Sequence, residues 1–126
     1  MKFHHVGIAC EEIDAVVGQF KLLHPDAEDA SDTVFDEEQN AFLKLVRLQD
    51  GTRFEFISGP MVSGLVKRRI ELYHTCFETA DFDNQIKAFL GHKALPLSKP
   101  KPAILFGGKR VIFFKTLYGI VELLES

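Results

Sequence analysis

The stretch YHTCFETADF at residues 73–82 decides the fold, because residues 4–13, HHVGIACEEI, repeat its plan. Aligning His74 with His5 gives a constant spacing of 69 residues, which also aligns the two helical patterns that follow. Each copy begins with a short run typical of a β-strand, passes through acidic residues and continues with apolar residues at helical spacing. The sequence therefore predicts a duplicated module.

The two halves also end alike. TRFEFI at residues 52–57 corresponds to GIVELL at residues 119–124. Each half therefore has one histidine near its start and one glutamate near its end, 50 residues apart in the first half and 48 in the second. We predict that the duplication brings these four residues together, namely His5, Glu55, His74 and Glu122.

The order of patterns predicts a β-α-β-β-β arrangement in each module. In the first module the helix ends at His24, which precedes a proline; its apolar stripe is Ile13, Val16, Val17, Phe20 and Leu23, and the strands are residues 3–9, 33–36, 41–48 and 52–57. The second module is predicted to have a helix with the stripe Phe82, Ile86, Phe89 and Leu90, and strands at residues 72–78, 103–106, 111–114 and 118–124. The remaining segments are predicted as loops at residues 26–32 and 96–102, a linker helix at 61–69 and a hairpin turn at 107–110.

Length and composition predict one globular domain. The 126 residues suffice to bury a core, and we place module one at residues 1–58, a linker at 59–70 and module two at 71–126. A formal net charge of −3 gives no general attraction to nucleic acid or to an anionic membrane. There is no apolar run long enough for a membrane span, no secretion signal and no C-x-x-C spacing between Cys10 and Cys76, so we expect a cytoplasmic protein.

The alternation of side chains along strands suggests a metal site. If the apolar neighbours of Glu55 and Glu122 pack under the helices, both carboxylates must face the opposite side, as His5 and His74 do. All four side chains would then lie on one concave surface of a curled sheet. Two imidazoles and two carboxylates suit a divalent ion such as Zn, Ni, Co, Mn or Fe. This is favoured over ordinary packing, because an unpaired carboxylate buried in an apolar strand is costly.

The same residues resemble a known family. The runs HHVGIA, YHTCFE and GIVELLE, at residues 4–9, 73–78 and 119–125, resemble the vicinal oxygen chelate superfamily, which includes glyoxalase I, methylmalonyl-CoA epimerases, extradiol dioxygenases and bleomycin-resistance proteins. The runs GGKRVIF and EQN, at residues 107–113 and 38–40, look most similar to methylmalonyl-CoA epimerases and their glyoxalase-like relatives. The resemblance implies an α+β fold in which two tandem β-α-β-β-β modules form a cupped mixed sheet with helices on the convex face. It also implies a divalent metal held by His5, Glu55, His74 and Glu122.

In those enzymes the metal binds substrate oxygens and stabilises the enediolate that forms when a proton is removed next to a carbonyl or thioester. The resemblance implies that a ligand carboxylate moves this proton. We expect Glu122 to do so, with Glu55 as the second candidate. The chain departs from bacterial epimerases at Leu43, followed by Lys44, where those enzymes can carry an acidic residue; this departure weighs against methylmalonyl-CoA as the substrate.

Four further residues are candidates for substrate binding. Cys76 and Glu78 share the face of His74; Cys76 is more typical of a small core residue than of a nucleophile, and Glu78 is either a second acid or base or a rim residue. Arg53 could bind a substrate carboxylate or phosphate, or neutralise Glu55. Arg110 could hold the phosphate of a CoA-like ligand or lie in a solvated turn.

Three functions remain open at this stage. The first is a metal-dependent isomerase or lyase of the glyoxalase–epimerase type. The second is a non-catalytic small-molecule binding protein of the bleomycin-resistance type, which typically lacks the complete set of four ligands. The third is a metal-dependent dioxygenase, which typically uses two histidines and only one glutamate. In each case we expect a small-molecule ligand, no nucleic acid or membrane partner, and the homodimer common among such paired modules.

Overall fold

The computed structural model describes all residues, 1–126, and its contacts group the chain into two compact units. We call His5–Tyr73 the N-unit, and Met1–His4 together with His74–Ser126 the C-unit. The first strand begins in the C-unit and continues in the N-unit.

The N-unit contains the first half of the predicted pattern. In chain order its elements are β1 (Lys2–Ala9), α1 (Ile13–Leu23), β2 (Glu28–Asp29), β3 (Val34–Asp36), β4 (Ala41–Arg47) and β5 (Arg53–Ser58), followed by a 3-10 turn (Pro60–Val62) and α2 (Ser63–Lys67). The strand order is β2-β4-β5-β1, and β3 also pairs with β4. Strands β1 and β5 are parallel, and the other pairs are antiparallel.

The C-unit repeats this organisation. Its elements are β6 (Leu72–Thr79), α3 (Phe82–Gly91), β7 (Leu95–Pro96), β8 (Lys101–Pro102), a 3-10 turn (Ile104–Phe106), β9 (Arg110–Thr116) and β10 (Gly119–Glu125). The strand order is β6-β10-β9-β7, and β8 also pairs with β9. Here β6 and β10 form the parallel pair. In both modules the edge position is therefore filled by two short strands, β2 and β3 or β7 and β8.

Helix α1 covers one face of the N-unit strands, as the apolar stripe predicts. The buried core on this face is Cys10, Ile13, Val17, Val46 and Phe56, with Ile8, Val16, Phe20, Ala27 and Phe54 packed against it. The helix ends at Leu23, as predicted from the proline that follows His24. Leu23 itself is 71% exposed, so the buried stripe ends one turn earlier than the sequence indicates.

Helix α3 covers the C-unit strands in the same way. Its core consists of Phe82, Ile112, Phe114 and Leu123, with Phe77, Ile86, Phe89 and Ala94 packed against it. Leu90, which we placed in the apolar stripe, is exposed. None of the helices in the chain combines the length and the apolar character needed to cross a membrane.

The predicted strand at residues 103–106 is wrong. Residues Ile104–Phe106 form a 3-10 turn, in which Ala103 O accepts hydrogen bonds from the amides of Phe106 and Gly108. Gly107 ends the turn in the left-handed region, at a φ of 65°. The backbone pairing with β9 is made instead by Lys101–Pro102, a segment we predicted as loop. Both prolines of the short strands lie at a sheet edge, as expected of a residue without an amide hydrogen.

The fold class predicted from the sequence is confirmed. The chain is α+β, with ten strands, three α-helices and mixed parallel and antiparallel pairing. Both modules have the order β-α-β-β-β once the paired edge segments are counted as one strand. In each module the helix lies against one face of the strands and leaves the other face to the histidine and glutamate.

Candidate metal centre

In the N-unit, His5 and Glu55 lie together on the sheet face that α1 does not cover. Phe54 and Phe56 pack towards the helix, so Glu55 between them faces the opposite side. Glu55 pairs with Gly7 across the parallel strands, and His5 precedes Gly7 by two residues on the same face. His5 Nε2 is 3.7 Å from Glu55 Oε1, and the two side chains are 0% and 5% exposed.

In the C-unit, His74 and Glu122 form the equivalent pair. Val121 and Leu123 take the other face of β10, and Leu123 belongs to the core under α3. Glu122 pairs with Cys76, and His74 precedes Cys76 by two residues. His74 Nε2 is 3.3 Å from Glu122 Oε1, and the side chains are 1% and 2% exposed.

The two pairs occupy the same position in their modules. In each module the glutamate lies in the last strand, which pairs with the parallel first strand. The histidine lies in that first strand, two residues before the residue directly opposite the glutamate. The duplication seen in the sequence therefore reproduces a buried His–Glu pair in each unit.

The spacing within each pair fits ligands of a metal ion. A charge-assisted hydrogen bond would bring nitrogen and oxygen to about 2.7–2.9 Å, which is shorter than either observed distance. Nitrogen and oxygen ligands bind zinc at about 2.0–2.2 Å, so adjacent ligand atoms lie roughly 3.0–3.5 Å apart. The observed 3.3 and 3.7 Å fall close to this range. One imidazole and one carboxylate in each unit therefore form a suitable donor set.

Phe113 is a neighbour of this site that the sequence analysis missed. Its ring lies edge-on to the imidazole of His74, with centroids 5.2 Å apart, and it is the cross-strand partner of Glu122. The position could be found only from the register of β9 and β10, because in the sequence Phe113 looks like any other apolar strand residue.

Two predicted substrate-binding residues share the face of His74. Cys76 is fully buried and forms no disulfide. Glu78 lies two residues further along the strand, is 23% exposed, and has a carboxylate oxygen 3.9 Å from Lys2 Nζ. Both therefore lie in the row of side chains that begins at His74, as the alternation predicted.

Arg53 precedes Glu55 by two residues in β5, so it lies on the same face, and it is half-buried. Its direct partner across β4 and β5 is a second arginine, Arg47. Arg47 could not be identified from the sequence, because its position beside Arg53 depends on the register of the hairpin.

Arg110 is placed differently from the other candidates. Its guanidinium lies 2.6 Å from Glu125 and 3.3 Å from Asp83, and stacks over the ring of Phe82 at 4.8 Å. Hydrogen bonds to Glu125 and then Asp83 raise the pKa of Arg110, and the same contact lowers the pKa of Glu125. These contacts join β9, β10 and α3 on the helix side, opposite the face of Glu122. The structure does not bring Arg110 together with the His–Glu pair.

Leu43 is buried on the face of Glu55, opposite Ile57. Lys44 lies on the other face, where its amino group is 3.2 Å from Asp29. Leu45, the direct partner of Glu55, is also apolar and buried. Strand β4 therefore adds no acidic side chain to the surroundings of Glu55.

A family model described as the Glyoxalase/Bleomycin resistance protein/Dioxygenase superfamily matches residues 4–113. The chain belongs to this superfamily. The match begins within β1 and ends within β9, and it confirms the resemblance predicted from the repeated strand sequences. The sequence matches no curated protein.

Solved structures of the same fold include several methylmalonyl-CoA epimerases. The enzyme from Mycobacterium tuberculosis has a TM-score of 0.83 at 12% identity, with 98% of this chain and 87% of that chain covered. A variant of the Streptomyces coelicolor enzyme in complex with 2-nitronate-propionyl-CoA has a TM-score of 0.76 at 21% identity, with 100% and 97% covered. A hypothetical protein from Bacillus halodurans, BH1468, has a TM-score of 0.82 at 16% identity, with 99% and 94% covered. At 12–21% identity, these structures show a shared fold and no more.

Proposed function

We propose that this superfamily member is a metal-dependent isomerase or lyase that moves a proton next to a carbonyl or thioester. The observation that carries the proposal is the buried His–Glu pair at the same position of both modules. A single such pair could be a local packing solution. Its duplication, with the same register and burial, is expected of one site built from two related halves.

The proposed ligands are His5, Glu55, His74 and Glu122, acting on one divalent ion. Two imidazole nitrogens and two carboxylate oxygens suit Zn, Ni, Co, Mn or Fe. When bound, such an ion polarises a substrate carbonyl and stabilises the negative charge that develops on its oxygen. Neutral imidazoles would bind the ion and fix its position, while the two carboxylates balance its charge.

Glu122 is the residue that we propose moves the proton. Its carboxylate is buried, and its cross-strand neighbours are Phe113 on one side and Cys76 on the other. These surroundings exclude water and favour proton transfer to a bound substrate over transfer to solvent. Glu55 has an equivalent position in the N-unit and could serve the opposite face of the reacting carbon.

The proposed substrate is a thioester or a thiol adduct of an aldehyde. Structural neighbours include a methylmalonyl-CoA epimerase in complex with methylmalonyl-CoA, which supports a CoA ester. Leu43, buried on the face of Glu55, differs from the acidic residue that bacterial epimerases can carry there, so the substrate need not be methylmalonyl-CoA. The complete set of four ligand residues favours an enzyme over a binding protein of the bleomycin-resistance type, and the second glutamate disfavours a dioxygenase.

Proton exchange with solvent tests this function. Protein loaded with Zn, Co or Ni is incubated in D2O with methylmalonyl-CoA or with the hemithioacetal of methylglyoxal and glutathione, and NMR follows deuterium incorporation. We expect exchange with at least one substrate, and a decrease of roughly 10²- to 10⁴-fold in Glu122→Gln. The matched control is Glu125→Gln, which removes the same charge from the other face of the same strand and should keep the rate. If the metal-loaded protein incorporates deuterium into neither substrate, the result would contradict the proposed enzymatic function and favour a non-catalytic binding protein.

A further inference from the structure

A cavity of about 500 Å³ lies in the C-unit on the helix side of the strands, opposite the face of Glu122. It is formed by the second half of α3, by the residues that follow this helix and by the turn between β9 and β10. Pockets that bind small molecules typically have volumes of about 300–1,000 Å³. The cavity is therefore large enough for a small ligand, and it is separate from the His–Glu pair.

The floor of the cavity is apolar and belongs to the core of the C-unit. Phe89 lines it, and the ring of Phe89 packs against that of the fully buried Phe114, with centroids 5.1 Å apart. Ala88 and Ala94 also line the cavity, and their small side chains leave its volume open. The floor is thus fixed by the packing that holds α3 on the strands.

The outer wall is a turn held by hydrogen bonds. Thr116 Oγ1 donates to Gly119 O at 2.8 Å and accepts from the amide of Tyr118 at 3.2 Å, and Gly119 has a φ of 115°, which favours glycine. Between them Leu117 is fully exposed and Tyr118 is 74% exposed, and both line the cavity. The wall therefore presents apolar surface that a ligand would remove from water.

The charged groups around this cavity are cationic. Lys93 and His92 line it, whereas no aspartate or glutamate does, and the exposed Lys93 forms no ion pair. Between Asp83 and Glu122 the chain has six lysines, one arginine and no acidic residue. Three of the last four carbonyls of α3 accept hydrogen bonds from the amides of residues 92–94, so the helix end adds few unpaired acceptors. The cavity therefore favours a negative charge.

We propose that this cavity of the C-unit binds a small anionic amphiphile, namely a carboxylate on an aliphatic chain. The chain lies between Phe89 and Leu117 and removes their apolar surface from water. The carboxylate accepts a charge-assisted hydrogen bond from the amino group of Lys93. A cationic head group on the same chain would instead be repelled. Because the cavity and the His–Glu pair lie on opposite faces of the strands, the inference does not depend on the proposed function.

Mapping of ligand binding by NMR tests this inference. The assigned backbone amide signals of the protein as purified are followed during titration with hexanoate, octanoate and, separately, octylammonium, all below their micelle concentrations. Lys93→Gln removes the cation, and its control Lys87→Gln removes an exposed lysine of α3 that does not line the cavity. Ala88→Trp fills the cavity, and its control Leu90→Trp adds the same ring at an exposed position of α3 outside it. The octanoate titration is repeated after a chelator has removed any metal, because a carboxylate could also bind a metal ion.

We expect octanoate to shift the signals of α3 and of the β9–β10 turn until they saturate. Each added CH2 should strengthen binding by up to about fourfold, so octanoate should bind roughly tenfold more tightly than hexanoate. Lys93→Gln should weaken octanoate binding by about two- to fivefold, as expected of an exposed ion pair, and Ala88→Trp should abolish it. The two controls should change it by less than about twofold, and chelation should leave it unchanged.

Several results would overturn the inference. Octylammonium that binds as tightly as octanoate, or an affinity unchanged in Lys93→Gln, would exclude recognition of the negative charge. Shifts that lie outside this cavity, or that disappear with the metal, would place the carboxylate elsewhere. Shifts of the same signals with protein concentration alone would show that a second copy of the chain covers the cavity. None of these results bears on whether the His–Glu pairs hold a metal.

Discussion

Phe113 and Glu122 are direct partners across β9 and β10, and the ring of Phe113 also contacts the edge of the His74 imidazole. One apolar side chain therefore borders both proposed ligands of the C-unit. Its neighbour Phe114 projects to the other face, into the core under α3. The two phenylalanines provide a matched comparison between support of the site and support of the fold.

Substituting Phe113 should weaken metal binding. Residues that orient metal ligands typically contribute about 10- to 100-fold to affinity, and we expect Phe113→Leu to lower zinc or cobalt affinity by about tenfold, towards the lower end of that range. Phe114→Leu should lower the free energy of unfolding by about 1 kcal/mol and leave the affinity of the folded protein unchanged. Titration against a competing chelator measures the first quantity and urea unfolding the second. Equal affinities in the two variants would show that Phe113 does not position His74.

The ion pair between Arg110 and Glu125 should make stability depend on pH. Arg110 lowers the pKa of Glu125 in the folded protein, so the stabilisation is present above the ordinary glutamate pKa and is lost as the pH falls through the lowered value. The difference in Tm between the protein and Glu125→Gln should therefore be largest near neutral pH and vanish in acid. It should also shrink with added salt, because the pair is partly exposed. A difference independent of pH and salt would contradict an electrostatic origin.

The thiol of Cys10 should be inert in the folded protein. Cys10 is buried in the core under α1, and its Sγ donates a hydrogen bond to Ile57 O at 3.5 Å. Burial raises its pKa to about 11, and because the thiolate is the reactive species, little of it exists at pH 8. We expect a disulfide reagent to modify Cys10 only after denaturation, with Cys10→Ala identifying its share of the signal. Modification within seconds in native buffer would show that this face of the N-unit opens.

The sequence predicted the elements that follow from local patterns. Alternation placed Glu55 between two phenylalanines that pack under α1, and the proline after His24 placed the end of that helix. The run at residues 103–106 misled us, since a short apolar segment suits either a strand or a 3-10 turn. Lys101–Pro102 pairs with β9 instead, and Ile104–Phe106 forms a 3-10 turn.

Among the site residues, those in a repeated pattern could be predicted from the sequence. The His–Glu pairs were predictable because the same pattern occurs in both halves of the chain. Phe113 and Arg47 became apparent only from strand register, which brings together residues distant in sequence. Arg110 looked like a turn residue until its contacts with Glu125 and Asp83, on separate elements, were known. The cytoplasmic location and the homodimer expected from the sequence stay predictions.

The central claim is that the two His–Glu pairs hold one divalent ion, and metal content tests it most directly. Protein purified without chelator is analysed by mass spectrometry for metals, beside His74→Ala, Glu122→Gln and the control His92→Ala, which removes an exposed histidine of the same unit. We predict about one metal ion per chain in the unmodified protein and the control. His74→Ala should lose the ion, whether or not Glu122→Gln loses it too. Adding the metal back to metal-free unmodified protein should raise its Tm. An unmodified protein that contains no metal and gains no thermal stability from Zn, Co, Ni or Mn would contradict the account.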